Sequence, residues 1–203
     1  MSLMLLLKLS NRNELTGYCQ LCECKSERVL LSLILANLIL LPSAILLYKQ
    51  SGISLKEEIF DKSTLSKDIV LGVVLAGASS VISLFSLIVM RGRTDLAFGG
   101  WDRLTVSEIV LMVISLGIVS GICKEIFFRG FAKNFCAGVL GETTALLLFN
   151  MMFGLLDWFN MGHSFVVGLL WIWGYKKGKH LIVPMIAHGG MNLISVVFYI
   201  ITL

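Results

Sequence analysis

The sequence predicts an all-helical membrane bundle of about six transmembrane helices, and three observations carry that expectation. Of the 203 residues, 57% are hydrophobic and only 15% charged, whereas soluble globular domains carry about 25% charged residues. Mean hydropathy is +0.87. Apolar runs occur at 29–47, 69–90, 106–122 and from 181 to the C-terminus, close to the roughly 20 residues that cross a hydrocarbon core. Shorter runs at 143–156 and 164–175 complete the count.

Taken in order, residues 1–28 read as an interfacial segment ahead of a membrane domain at 29–203. Met1 to Leu9 is apolar but lacks the basic flank and the length of a signal peptide, so it reads as an anchor lying at the interface. Cys19, Cys22 and Cys24 form a C-x-x-C-x-C cluster. A zinc site would need a fourth ligand and usually a second spaced pair, so free thiols and juxtamembrane S-acylation sites are the plainer readings. The first two spans carry no ionisable residue and read as scaffold. Gly72, Ala76, Gly77, Ala78, Ser79 and Ser80 suit close helix packing in lipid. Between these spans, residues 49–68 mix both signs of charge and belong at the interface. Gly99, Gly100 and Trp101 mark a turn with an aromatic anchor.

Net charge is +4, but the Lys and Arg residues lie in separate loops rather than on one face, which excludes a nucleic-acid reading. With six alternating spans, Lys49, Lys56, Lys62, Lys67 and Lys133 share a side with Lys176, Lys177 and Lys179. Lys8, Arg12, Lys25, Arg28, Arg91, Arg93 and Arg103 lie opposite. This near balance leaves the orientation open.

Polar exceptions gather in the second half. Lys124, Glu125 and Arg129 end a long apolar run. Glu125 and Arg129 are four apart, share a helix face and suit an intrahelical ion pair. Two readings stay open for them: Arg129 snorkels to a boundary and Glu125 neutralises it, or Glu125 takes part in chemistry. Lys124 points about 100° away from Glu125 and, unpaired in the bilayer centre, would cost roughly 3 kcal/mol or more. Gly138 and Gly141 mark a turn after this helix, and Asp157 lies as far beyond that turn as Lys124 lies before it. Both would sit roughly 24 Å from the turn, which makes Asp157 a candidate partner. The alternative is that Asp157 ends its helix near water. His188 and Asn192 are four apart on the last helix and can address one ligand. His163 reads as a start-of-helix interfacial residue and His180 as a loop residue.

These residues resemble the CPBP family, the CAAX prenyl protease 2 and lysostaphin resistance protein A-like intramembrane endopeptidases. Its motifs E-E-x-x-x-R, F-x-x-x-H and H-x-x-x-N/B are matched here, in order, by Lys124-Glu125-Ile126-Phe127-Phe128-Arg129, by Phe153-Gly154-Leu155-Leu156-Asp157, and by His188-Gly189-Gly190-Met191-Asn192. The resemblance covers 106–203 as the family-like core. It implies that the first Glu of motif one activates water, while the histidines and Asn hold a metal or the oxyanion. Here the first Glu is Lys124 and the motif-two His is Asp157. Glu125, Arg129, His188 and Asn192 are the retained positions.

A protonated Lys cannot accept a proton from water, and an ammonium in place of a carboxylate repels a divalent cation. No cofactor is therefore expected. A metal such as zinc would enter only at an active site, with Asp157, His188 and Asn192 as the ligands on offer. The expectation is a catalytically impaired member, multi-pass in the cell membrane, that binds a membrane protein or peptide. An active endopeptidase using Glu125, His188 and His163, and a small carrier lined by Lys124 and Asp157, are the alternatives.

Overall fold

The computed structural model describes residues 26–89, 105–156 and 161–202, and among them every regular element is a helix. Helix α1 runs Ser26–Ser51, the short α2 Leu55–Ile59, and α3 Leu65–Val89. A continuous α4 spans Val106–Leu140, followed by α5 Glu142–Leu156, α6 Met161–Gly178 and α7 Ile182–Thr202. Leu30–Ser51, Leu65–Ser86 and Val106–Leu140 are long and apolar enough to cross a membrane. Helices α5 and α7 are apolar but shorter in their apolar extent. The Cys19, Cys22, Cys24 cluster and the Gly99, Gly100, Trp101 turn lie outside the described residues.

Burial is inverted relative to a soluble protein. Ile39, Val81, Phe85 and Val139 point outward, while Glu125, Arg129, Lys133, Asn150 and His188 are buried. Lipid solvates apolar surface as well as another Leu would, so inter-helix contact favours small residues and satisfied polar groups. Gly121 of α4 meets the backbone of Gly189 of α7 so closely that a Cβ at 121 would stand 2.9 Å from the Gly189 Cα. On the other side of α7, a Cβ at Gly190 would come within 2.8 Å of Ala76 on α3. Gly72 packs the same way on Ile186, whereas Gly77 faces open space. The small-residue stretch on α3 therefore divides into packing and non-packing positions.

The sequence pattern suggests a plain α-helix around the charged motif. Instead, α4 contains two π-helical stretches, Val113–Ser120 and Ile126–Phe131, with the α turn Gly121–Glu125 between them. A four-residue repeat explains what this achieves. Gly117, Gly121, Glu125, Arg129 and Lys133 are all buried, while Ile114, Ile118 and Ile122 are exposed. In a pure α-helix each four-residue step rotates by about 40°, so the repeat would drift off one side. A π turn, closed by i→i+5 bonds, takes more residues and rotates the repeat back.

Gly141, at φ 78°, ends α4 and starts the turn into α5, where the glycine pattern placed it. Lys179, at φ 66°, ends α6, and its N–H bonds to the Tyr175 carbonyl. The α1–α3 connection, the α4–α5 turn and the α6–α7 turn meet at one end of the bundle. Glu58 bonds Lys133 and Tyr175 there, His180 bonds Asp68, and Lys176 donates to Thr143.

Two substitutions test the helix contacts. Gly121→Ala is expected to cost about 1–3 kcal/mol, the usual penalty of overpacking, whereas Gly77→Ala should stay within about 0.5 kcal/mol of wild type. Thermal unfolding in detergent measures both, and equal midpoints would show that the Gly121–Gly189 contact is not tight.

Candidate functional site

The site is built on α4 and α7, with α5, α6 and α3 closing round it. Glu125 is fully buried, and one oxygen, Oε1, takes two donors: Nη1 of Arg129 at 3.1 Å and Nδ1 of His188 at 2.7 Å. An ionised carboxylate only accepts, so the His188 proton toward Glu125 sits on Nδ1 and the other ring nitrogen, Nε2, is left out of this bond. Arg129 is equally buried and sends Nη2 to the Oδ1 of Asn150 at 2.9 Å. Asn150 in turn donates to the Phe165 carbonyl at 2.9 Å. Arg129 therefore does not snorkel; it is a core residue. Two buried atoms, Oε2 of Glu125 and Nε of Arg129, have no hydrogen-bond partner among the described residues.

Aromatic rings set the orientation. Trp171 stacks on the His188 imidazole with ring centroids 4.4 Å apart and an interplanar angle of 19°. Its indole N–H donates to Ser79 Oγ on α3 at 2.9 Å, which fixes the indole plane and with it the imidazole. Phe153 meets His188 edge-on at 5.6 Å, with the Arg129 guanidinium 4.5 Å from the Phe153 centroid. Gly168 on α6 leaves room for the Arg129–Asn150 contact, because a methyl there would overlap Asn150 Oδ1 and approach Arg129 Nη2 to 2.8 Å.

The residues singled out in the sequence divide three ways. Glu125, Arg129 and His188 converge. Lys124 is half-buried, its ammonium 5.8 Å from the Phe153 ring, so both cations of the motif lie against the same aromatic side chain. Asn192 shares a face with His188 but donates to the Leu116 carbonyl, 2.8 Å away in a π stretch of α4. Asp157 lies outside the described residues. His163 stands in the first turn of α6, as read from sequence, and its Nε2 is 2.8 Å from Ser83 Oγ. Among the described residues no three His, Cys, Asp or Glu side chains gather as a metal-ligand set.

Sequence reasoning missed Asn150, Trp171 and Ser79. Asn150 was the one with a signal available: it is the only amide inside the apolar run 143–156, and a lone amide in lipid seeks a partner. Trp171 and Ser79 look like ordinary span residues, since only the packing of α3 on α6 brings them together.

Removing one partner of a buried ion pair strands the other charge, at a cost of about 3–5 kcal/mol. Arg129→Met is expected to fall in that range by thermal unfolding in detergent. A cycle with Glu125→Gln should show coupling above about 1 kcal/mol, and additive losses would mean that the 3.1 Å contact contributes nothing.

Residues 106–194 match the family model for type II CAAX prenyl endopeptidase Rce1-like proteins. No curated protein and no solved structure matches the chain. The match begins at α4 and takes in Lys124, Glu125, Arg129, His188 and Asn192, ending inside α7 rather than at its C-terminus. Three helices of spanning length and hydropathy make this an integral membrane protein, and its residues 106–194 are similar to type II CAAX prenyl endopeptidase Rce1-like proteins.

Proposed function

We propose that this protein binds a membrane protein or peptide at its endopeptidase-like site without cutting it. The observation that carries this reading is the lysine at position 124. Hydrolysis needs a base with a lone pair free to take a proton from water. Position 124, where the resemblance puts that base, holds a lysine, and Oε1 of the neighbouring Glu125 is shared by Arg129 and His188. The Glu125 carboxylate, held by a guanidinium and an imidazole N–H, serves in this reading as the counter-ion that keeps Arg129 in the core.

The donor set also fits a divalent cation poorly. The Arg129 and Lys124 charges stand against Phe153, beside His188, and would repel it. No metal step is part of the proposal. In this reading Lys124 takes over the electrostatic role of a metal or proton and pairs with Asp157. The protein crosses the cell membrane several times, and its client lies within the bilayer.

Purified protein in proteoliposomes with membrane-spanning reporter peptides tests the central claim. No product is expected from wild type, while the peptides still crosslink to the site; cleavage that Glu125→Gln abolishes would overturn the reading. For the substituted pair, a cycle of Lys124→Ala and Asp157→Ala on thermal stability should give coupling above about 1 kcal/mol, and additive losses would reject it.

A further inference from the structure

Polar contacts do not stop at Glu125. Arg129 and Lys133 continue its four-residue repeat toward one end of α4, and both are buried. The Lys133 ammonium reaches Glu58 Oε1 at 3.2 Å and the Tyr175 hydroxyl at 2.5 Å, and that hydroxyl donates to the same Glu58 oxygen. The two ion pairs, Glu125–Arg129 within α4 and Lys133 of α4 with Glu58 of α2, thus run from the buried site to the bundle end.

Helix α2 covers that end, and its attachment is unlike that of the other helices. It has five residues, none of them buried, with Leu55 and Ile59 only partly packed on the core below. Its main polar tie is Glu58, whose carboxylate holds α4 and α6 and whose carbonyl accepts the Leu181 N–H at 2.8 Å. One residue therefore joins three helices. On its N-terminal side Gly52 takes φ 71° with open space around it, and on its C-terminal side Phe60 is extended. A cavity of about 260 Å³ opens beside this segment, lined by Leu47, Tyr48, Ile53, Phe131, Asn134 and Phe135 among others.

We infer that α2 is a lid latched by Glu58, and that its opening admits water and polar groups along Lys133 and Arg129 to the Glu125–His188 site. A segment with little buried apolar surface, held chiefly by the polar contacts of one residue, has a low free energy of local opening. What opening exposes is a column of buried charges on one helix, Lys133 and Arg129 leading to Glu125. Open, the lid makes this end of the bundle the aqueous side of the site. The inference rests on the proposed function only in taking that site as the place of binding.

Thiol labelling tests it. In a chain with its five cysteines replaced by serine, Ile172→Cys puts a reporter about one helical turn inward of Tyr175, at a buried position. Val196→Cys puts a second reporter in the separate core formed with Leu30 and Met112. A membrane-impermeant maleimide is applied to either side of sealed proteoliposomes of fixed orientation. Adding Glu58→Gln is expected to speed labelling at position 172 about tenfold, the order of one lost hydrogen bond to a charged group, from the α2 side only. Lys133→Met should do the same, and position 196 should stay unreactive. Unchanged labelling at 172, or acceleration at both reporters or from both sides, would overturn the lid. Cleavage of a reporter peptide by wild type would defeat the proposed function and leave this labelling result intact.

Discussion

One carboxylate oxygen organises the core of this protein. Oε1 of Glu125 joins α4 to itself through Arg129 and to α7 through His188. Arg129 carries the connection on to α5 through Asn150, and Asn150 to α6 through the Phe165 carbonyl. Four helices are thus linked by polar contacts at a depth where water does not compete. Desolvating these charges is expensive, and the surrounding bonds offset that cost only while every partner stays in place. The same condition fixes Gly168, since no side chain fits between α6 and the Arg129–Asn150 pair.

The backbone adjusts to this constraint. In lipid, apolar contact between helices is no better than apolar contact with a tail, so close backbone approach and hydrogen bonds decide the packing. Helix α4 meets both demands by carrying glycines at 117 and 121 and charges at 125, 129 and 133 in one repeat, and by π turns that hold this repeat inside. The π stretches are placed on either side of the charged turn, the position in which such irregularities recur at functional sites.

The similarity of residues 106–194 to Rce1-like endopeptidases and the chemistry of this particular site point in different directions. The scaffold that would orient a base and its partners is present: an imidazole fixed by an indole, an indole fixed by a serine, and a carboxylate at the centre. Yet a lysine stands at position 124, where the resemblance puts the base, and Oε1 of the central carboxylate is paired with Arg129. A family fold carries a site, and the residues within the site decide what it does.

Much of this was legible in the sequence. Hydropathy and run length gave a helical membrane bundle, because the bilayer admits helices whose backbone bonds close within the segment. The i,i+4 spacing gave the Glu125–Arg129 pair and put His188 and Asn192 on one face, because helical periodicity is local; glycine gave the turn at 141, where φ is positive. Spacing could not say that Arg129 is a core residue rather than a snorkelling one, since its depth depends on Asn150 and Gly168, which other helices bring to it. Nor could it separate the two uses of the last helix face, where His188 meets Glu125 while Asn192 meets a π-turn carbonyl. The Glu58 latch was likewise invisible: its partners stand 75 and 117 residues away. Sequence by itself determined the helices, their membrane setting and the motif. Tertiary structure alone decided which charges are buried together, because burial belongs to the packing of several helices and to no single one of them.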